Sequence, residues 1–173
     1  MPTSKKSPKK KRTRSNRSKK GEIQQLRERE KELNCLYGLT KVVRDKNITI
    51  EDALNDIIQL IPPSWQYPKI TCARIKIDGE LVETSNFKKT PWKLSSPIKV
   101  NDEIIGSLDV FYLEFSYQAD EGPFLKQERW LIEAITDLLG RFFEERKIKE
   151  ELEVHRKKLN HAEKIMKKDE GKK

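Results

Sequence analysis

Few side chains in this chain have types and spacing suited to chemistry. The two cysteines, Cys35 and Cys72, stand far apart, with no CxxC pair and no histidine cluster. That spacing suits neither a redox couple nor a thiolate metal centre, and both thiols read as structural. His155 and His161 lie close to the C-terminal end, in a run of Lys and Glu. There is no glycine-rich phosphate loop and no nucleophile with a neighbouring base, so catalysis has no visible constellation. The chain therefore reads as non-enzymatic, with no cofactor and no metal expected. One stretch stands out. IPPSWQYPKITCARI (61–75) sets three prolines, a Trp, a Tyr and a Cys around the start of an alternating run. It would serve as a ligand pocket, a redox site or a helix-to-strand corner, and the elements around it must decide between them.

Charge divides the chain unevenly. Residues 1–20 hold ten Lys or Arg and no acid, whereas the other 153 residues hold 27 basic and 28 acidic side chains. The net charge of +9 thus belongs to a tail on a nearly neutral body. With no large apolar side chain after Met1, the tail cannot bury enough surface to offset the entropy of ordering, and it is expected to be disordered. Lys9, Lys10, Lys11, Arg12, Arg14 and Arg17 would attract nucleic acid or an anionic surface, or would only keep the chain soluble. No apolar run of 18 residues is present and charges follow Met1 closely, so neither a membrane span nor a secretory leader is expected. A reducing, cytoplasmic location fits.

From Gly21 the pattern turns helical, with Ile23, Leu26, Leu33, Leu36, Leu39 and Val43 at spacings of three, four and seven. Thr49 followed by Asp52 approximates a capping box and opens a second helix, with Ala53, Leu54, Ile57, Ile58 and Ile61 inward. Pro62 and Pro63 should stop it, since neither can donate a helical hydrogen bond. The period then changes to two. Residues 70–78 read as a strand, Asp78 and Gly79 as a hairpin turn, and 81–84 as its return. After a connector over 85–95, a second hairpin runs through 97–100, a turn at Asn101 and Asp102, and a long strand over 103–114. A long helix follows from Phe124, with Leu131, Ile132, Ile135, Leu138, Leu139, Phe142 and Phe143 on one broad face. Beyond it, 148/155/162 and 152/159/166 fit a coiled-coil seam. Segregated helices beside an antiparallel sheet make the fold α+β. Three regions result: a disordered basic tail (1–20), a domain with its N-terminal signalling helix (21–150), and a helical, coiled-coil extension (151–173).

Four ordered blocks carry a resemblance: LYGLTKVV (36–43), IPPSWQYPKITCARIKIDG (61–79), NFKKTPWKLSSPIKVNDEIIGSLDVFYLE (86–114) and DEGPFLKQERWLIEAITDLLGRFFEERKIKEEL (120–152). Together they resemble a GAF-type sensor domain of the small variety found upstream of PAS and histidine kinase modules in prokaryotic two-component signalling. The resemblance implies a cytoplasmic sensing or relay module. Its first and last helices would pack together on one sheet face and pair with a second copy, and a histidine kinase or response regulator would lie downstream. Leu26, Leu33, Leu138, Phe142, Leu152 and Leu159 would belong to the dimer helices. The chain departs from such relatives in carrying no phosphoacceptor block, no ATP-binding region and no receiver domain, so no enzymatic activity carries over. Bilin, haem and cyclic-nucleotide signatures are also missing.

The resemblance further implies a pocket on the sheet face away from the terminal helices. If Ala73, Ile75, Ile77, Leu108, Val110 and Tyr112 meet the helices, the opposite face carries Cys72, Arg74, Lys76, Ser107, Asp109 and Phe111. Placing the first and last strands side by side, as the family does, makes Arg74 and Asp109 cross-strand neighbours. With Trp65, Tyr67, Phe87 and Trp92, these residues would line a site for a small, anionic ligand. The competing reading is an ordinary solvated face with a surface ion pair. Three functions stay open: a non-enzymatic dimeric relay module, a dimeric nucleic-acid-associated regulator using the basic tail, and a ligand-free remnant of a larger kinase.

Overall fold

In the computed structural model of the chain, residues 11–114 and 118–170 are described; the side chains of 11–18, 20, 162, 163 and 165–170 are outside that description. The fold is α+β. Helices α1 (Lys11–Arg44) and α2 (Ile50–Ser64) precede strands β1 (Thr71–Ile77), β2 (Glu80–Glu83), β3 (Lys93–Val100) and β4 (Glu103–Tyr112), and helix α3 (Lys126–Glu170) follows them. The sheet is antiparallel with order β2-β1-β4-β3, so the first and last strands form its centre.

Local chemistry explains most boundaries. Thr49 caps α2, its hydroxyl accepting from the Asp52 backbone N–H at 3.1 Å and donating to the Asp52 carboxylate at 2.7 Å. Asp78 and Gly79 both take positive φ, as do Asn101 and Asp102, which is the backbone of the tight two-residue hairpin turn. Pro62 and Pro63 do not precede the end of α2; they occupy its last turn. Ser64 donates to the Leu60 carbonyl at 2.7 Å, and Trp65 closes the end through a bond from its N–H to the Pro62 carbonyl. Pro68 opens a single 3-10 turn (Pro68–Ile70) that leads into β1. Strand β3 begins at Lys93, inside the expected connector, and it holds Pro97 without difficulty because it is an edge strand.

Helix α1 departs most from expectation. It begins at Lys11, so residues 11–20, assigned above to a disordered tail, continue the helix. Lys and Arg are good helix formers and no Gly or Pro interrupts the stretch. Residues 1–10, with Lys9 and Lys10, lie outside the described residues.

The layering also differs. α2 packs on β1 and α3 on β3, while α1 packs mainly on α2. The reason is apolarity. Ala53, Leu54, Ile57, Ile58 and Ile61 are fully buried, so α2 can be sandwiched between two partners, whereas among its described side chains α1 contributes only Cys35 and Leu39 to the fully buried core. From the sheet come Ala73, Ile75, Ile77, Leu94, Ile98, Leu108, Val110 and Tyr112, and from α3 come Leu131, Ile132, Ile135 and Leu139. Gly140 lets α3 settle on the sheet edge: a Cβ there would lie 2.2 Å from the Lys99 carbonyl oxygen.

α1 and α3 run in the same direction. Gln24 and Glu28 share a cleft with Leu125 and Gln127, and Arg146 donates to the carbonyls of Asp45 (3.2 Å) and Ile48 (2.8 Å), just beyond the end of α1. The N-terminal part of α1 therefore projects from one end of the domain and the C-terminal part of α3 from the other.

Candidate functional site

Alternation in β1 and β4 places Ala73, Ile75 and Ile77 opposite Val110, Leu108 and Gly106 on the helix side. The other side then carries Cys72, Arg74 and Lys76 beside Phe111, Asp109 and Ser107. Arg74 and Asp109 are direct register partners, and Ser95 of β3 pairs with Asp109 from the far side. Backbone pairing alone thus converges three polar side chains.

Their geometry is that of a buried ion network. Arg74 Nη2 lies 2.8 Å from Asp109 Oδ2, Ser95 donates to Oδ1 at 2.5 Å, and Lys93 Nζ stands 3.8 Å from Oδ1. Arg74 and Asp109 are only 8% and 5% exposed, which removes them from the class of weak, solvated surface pairs. Burial pushes the Asp109 carboxyl up, but the hydrogen bonds from Ser95 and Arg74 and the nearby Lys93 charge outweigh it and hold it below the ordinary aspartate value. The Arg74 guanidinium also lies 5.2 Å from the Phe87 ring centre and 5.8 Å from that of Phe111, and the two rings meet edge to face at 5.5 Å. Its Nε has no hydrogen-bond partner among the described residues.

A loop covers this face. After β2, Thr84 continues the pairing, its N–H donating to the Ala73 carbonyl at 3.0 Å. Residues 85–92 then cross the sheet, tied to it along their length, the Trp92 carbonyl accepting from the Tyr112 N–H at 3.1 Å. Asn86 donates to the Thr71 carbonyl (3.0 Å), Cys72 Sγ to the Lys88 carbonyl (3.5 Å), and Thr90 to the Tyr112 carbonyl (2.7 Å). Cys72 is fully buried, and that burial pushes its thiol up, as it does for Cys35.

The candidate residues divide between two faces. Cys72, Arg74, Phe87, Asp109 and Phe111 come together under the loop, and Lys76 lies exposed farther along β1. Trp65, Tyr67 and Trp92 do not join them. Trp65 is fully buried in the helix-side core, Tyr67 packs edge to face on Tyr112 at 5.6 Å, and Trp92 packs against that same core. The cause is placement in the chain: Trp65 and Tyr67 precede the turn into β1 and stay in the helix layer, while Trp92 keeps the same parity as Leu94.

That corner contains a residue the sequence reading missed. Glu128, in the first turn of α3, is 4% exposed. Its Oε1 accepts from the Gln66 backbone N–H (2.8 Å) and the Tyr112 hydroxyl (2.6 Å), and its Oε2 from the Leu125 N–H (2.8 Å). One carboxylate therefore ties the end of α2, the end of β4 and the start of α3. Burial pushes its pKa up despite those bonds, and it pushes the Tyr112 phenol up as well. An acid three residues past a helix start was the available signal, but Leu125 is no capping hydroxyl and the pattern passes unnoticed.

Of the proposed dimer-helix residues, Leu26 (65%), Leu33 (68%), Leu152 (66%) and Leu159 (65%) are exposed. Phe142 is not; it is 4% exposed in the single chain, and Leu138 packs against the core. Both serve the domain's own packing, because α3 must bury its broad apolar face on the sheet before it projects. Ala162 and Met166 of the expected seam lie outside the described side chains.

Comparisons with family models, curated proteins and solved structures gave no match to this chain. No helix among the described residues is long and apolar enough to cross a membrane, and no group of three or more His, Cys, Asp or Glu there is placed to hold a metal ion.

Proposed function

We propose that this chain is a GAF-like, non-enzymatic signal-sensing or relay module that works as a homodimer and acts on a separate kinase or regulator. One observation carries the reading: α3 is a single helix that packs the core through Leu131, Ile132, Ile135 and Leu139 and continues unbroken past the domain with Ile148, Leu152 and Leu159 exposed. A change in the sheet or its covering loop moves such a helix as one rod. Arg146 grips the 45–48 loop where α3 leaves the domain, and Glu128 grips the opposite corner, so both ends of the packed segment are indexed to the body. The sensing element in this proposal is the Arg74 cluster. A fixed cation beside two aromatic rings, with one N–H unsatisfied, suits a small anionic ligand admitted when the 85–92 loop lifts.

Native mass spectrometry of protein purified from its own host tests both parts. The expected species is twice 20.4 kDa with a small acidic molecule released on denaturation, and that molecule is lost in Arg74→Gln. A ligand-free monomer at tens of micromolar would sink the proposal.

A further inference from the structure

The charge of α1 runs against what a free-standing helix requires. Its first turn contains Lys11, Arg12 and Arg14 and no acid, at the end where the helix dipole is already positive. Across 11–20 there are six Lys or Arg and no Asp or Glu. Like charges at helical spacing repel, and an anion at this end relieves both conflicts. The segment is also continuous with a heptad pattern. Ile23, Leu26, Glu30, Leu33 and Tyr37 occupy alternate three- and four-residue steps, and Ile23 (51%), Leu26, Leu33 and Tyr37 (76%) are exposed.

From these observations we propose that residues 11–20 of α1 are a duplex-DNA-binding helix, presented in two copies by the dimer, a proposal that rests on the homodimeric reading above. Two parallel helices joined by the Ile23–Leu33 seam carry their basic segments outward together, the arrangement in which continuous basic helices fork across a major groove. Gly21 lies between the seam and the basic segment, where the low helix propensity of glycine makes a bend least costly, and among the described residues nothing lies within 4 Å of where its Cβ would stand.

The composition selects among polyanions. Residues 11–20 read KRTRSNRSKK, with no apolar side chain to enter a lipid interface, which argues against a membrane-surface helix. No aromatic residue occurs in 1–20, so unstacked bases have no platform. The deep, narrow major groove of A-form RNA does not admit a helix, whereas that of B-DNA does. Duplex DNA is the polyanion that fits. Contacts of this kind are to phosphates, so binding is expected to be salt-dependent and weakly sequence-selective.

The test uses the full chain with a mixed-sequence DNA duplex of about two helical turns, read by fluorescence anisotropy, with sedimentation velocity on the same samples. Affinity should fall steeply with salt, with a log–log slope of about −5 if roughly six phosphates are neutralised by the dimer. The triple change Arg12→Gln, Arg14→Gln and Arg17→Gln should weaken binding at least tenfold and flatten that slope while leaving the melting temperature and the dimer intact. Unchanged binding by the triple variant overturns the proposal. So does equal or tighter binding to single-stranded DNA, to duplex RNA, or to phosphatidylserine vesicles. A protein that is dimeric but does not bind duplex refutes the DNA-binding helix alone. A monomer that binds duplex through 11–20 refutes the dimeric reading and the forked arrangement, and leaves the phosphate contacts standing.

Discussion

Asp109 and Glu128 are both buried carboxylates, yet their contributions to stability respond to pH with opposite sign. The Asp109 value is lowered in the folded chain, so its contribution is complete above the ordinary aspartate value of 3.8 and is lost as pH falls through the lower folded value. The Glu128 value is raised, so its contribution is greatest below the ordinary 4.5 and declines as pH rises through the higher folded value. Urea unfolding from pH 3 to 8 should separate them. Asp109→Asn is expected to cost about 3 kcal/mol at neutral pH, because it leaves Arg74 buried without its counter-charge, and to remove much of the acid loss. Glu128→Gln should flatten the decline above pH 4.5 and cost about 1–2 kcal/mol, since an amide nitrogen would then face one of three donors. An unaltered acid limb in Asp109→Asn would show that other carboxylates govern it. The Arg74–Asp109 contact was legible from strand alternation once the first and last strands were placed together. Glu128 was not, because its three donors come from segments that local spacing does not connect.

Among the elements, the contact between α3 and β3 depends on a missing side chain. A methyl group at residue 140 would overlap the Lys99 carbonyl, so Gly140→Ala must lift α3 or bend β3. The expected cost is about 2–3 kcal/mol, in the range of overpacked cores, although alanine is the better helix former. Thermal unfolding checks it, and a stabilised variant would show that the helix sits farther from the strand. Element types were readable because backbone periods of 3.6 and 2 are written locally in the apolar pattern, and Thr49, Asp78, Gly79, Asn101 and Asp102 mark their ends by their own conformational preferences. The start of α1 was misplaced because apolar patterning is silent in a segment with no apolar residues. The layer order was misplaced because α2, not α1, has enough buried surface to be covered on two sides.

At the scale of the molecule, the proposed dimer would draw on residues of α3 that the domain's own packing leaves exposed. Leu152 and Leu159 are about two-thirds exposed, so Leu152→Glu with Leu159→Glu should leave the melting temperature of the domain within a degree or two. The same pair should shift sedimentation from dimer toward monomer, whereas a coefficient unchanged from that of the original chain would exclude this seam from the dimer. Phe142 would be the wrong probe, since its substitution opens the core rather than an interface.

By itself the sequence determined the α+β class, the hairpins, the capped second helix, the separation of a basic end from a neutral body, and the parity that sets Arg74 and Asp109 on one face. These follow from interactions within a few residues or across a two-residue turn. Only the tertiary structure decided that the 85–92 loop closes over that face, that Trp65, Tyr67 and Trp92 belong to the other, and that IPPSWQYPKITCARI is a corner held by Glu128. Which side of a sheet an aromatic residue covers, and which distant carboxylate meets a free N–H, depend on how layers stack, and stacking is settled by the total surface each element can bury.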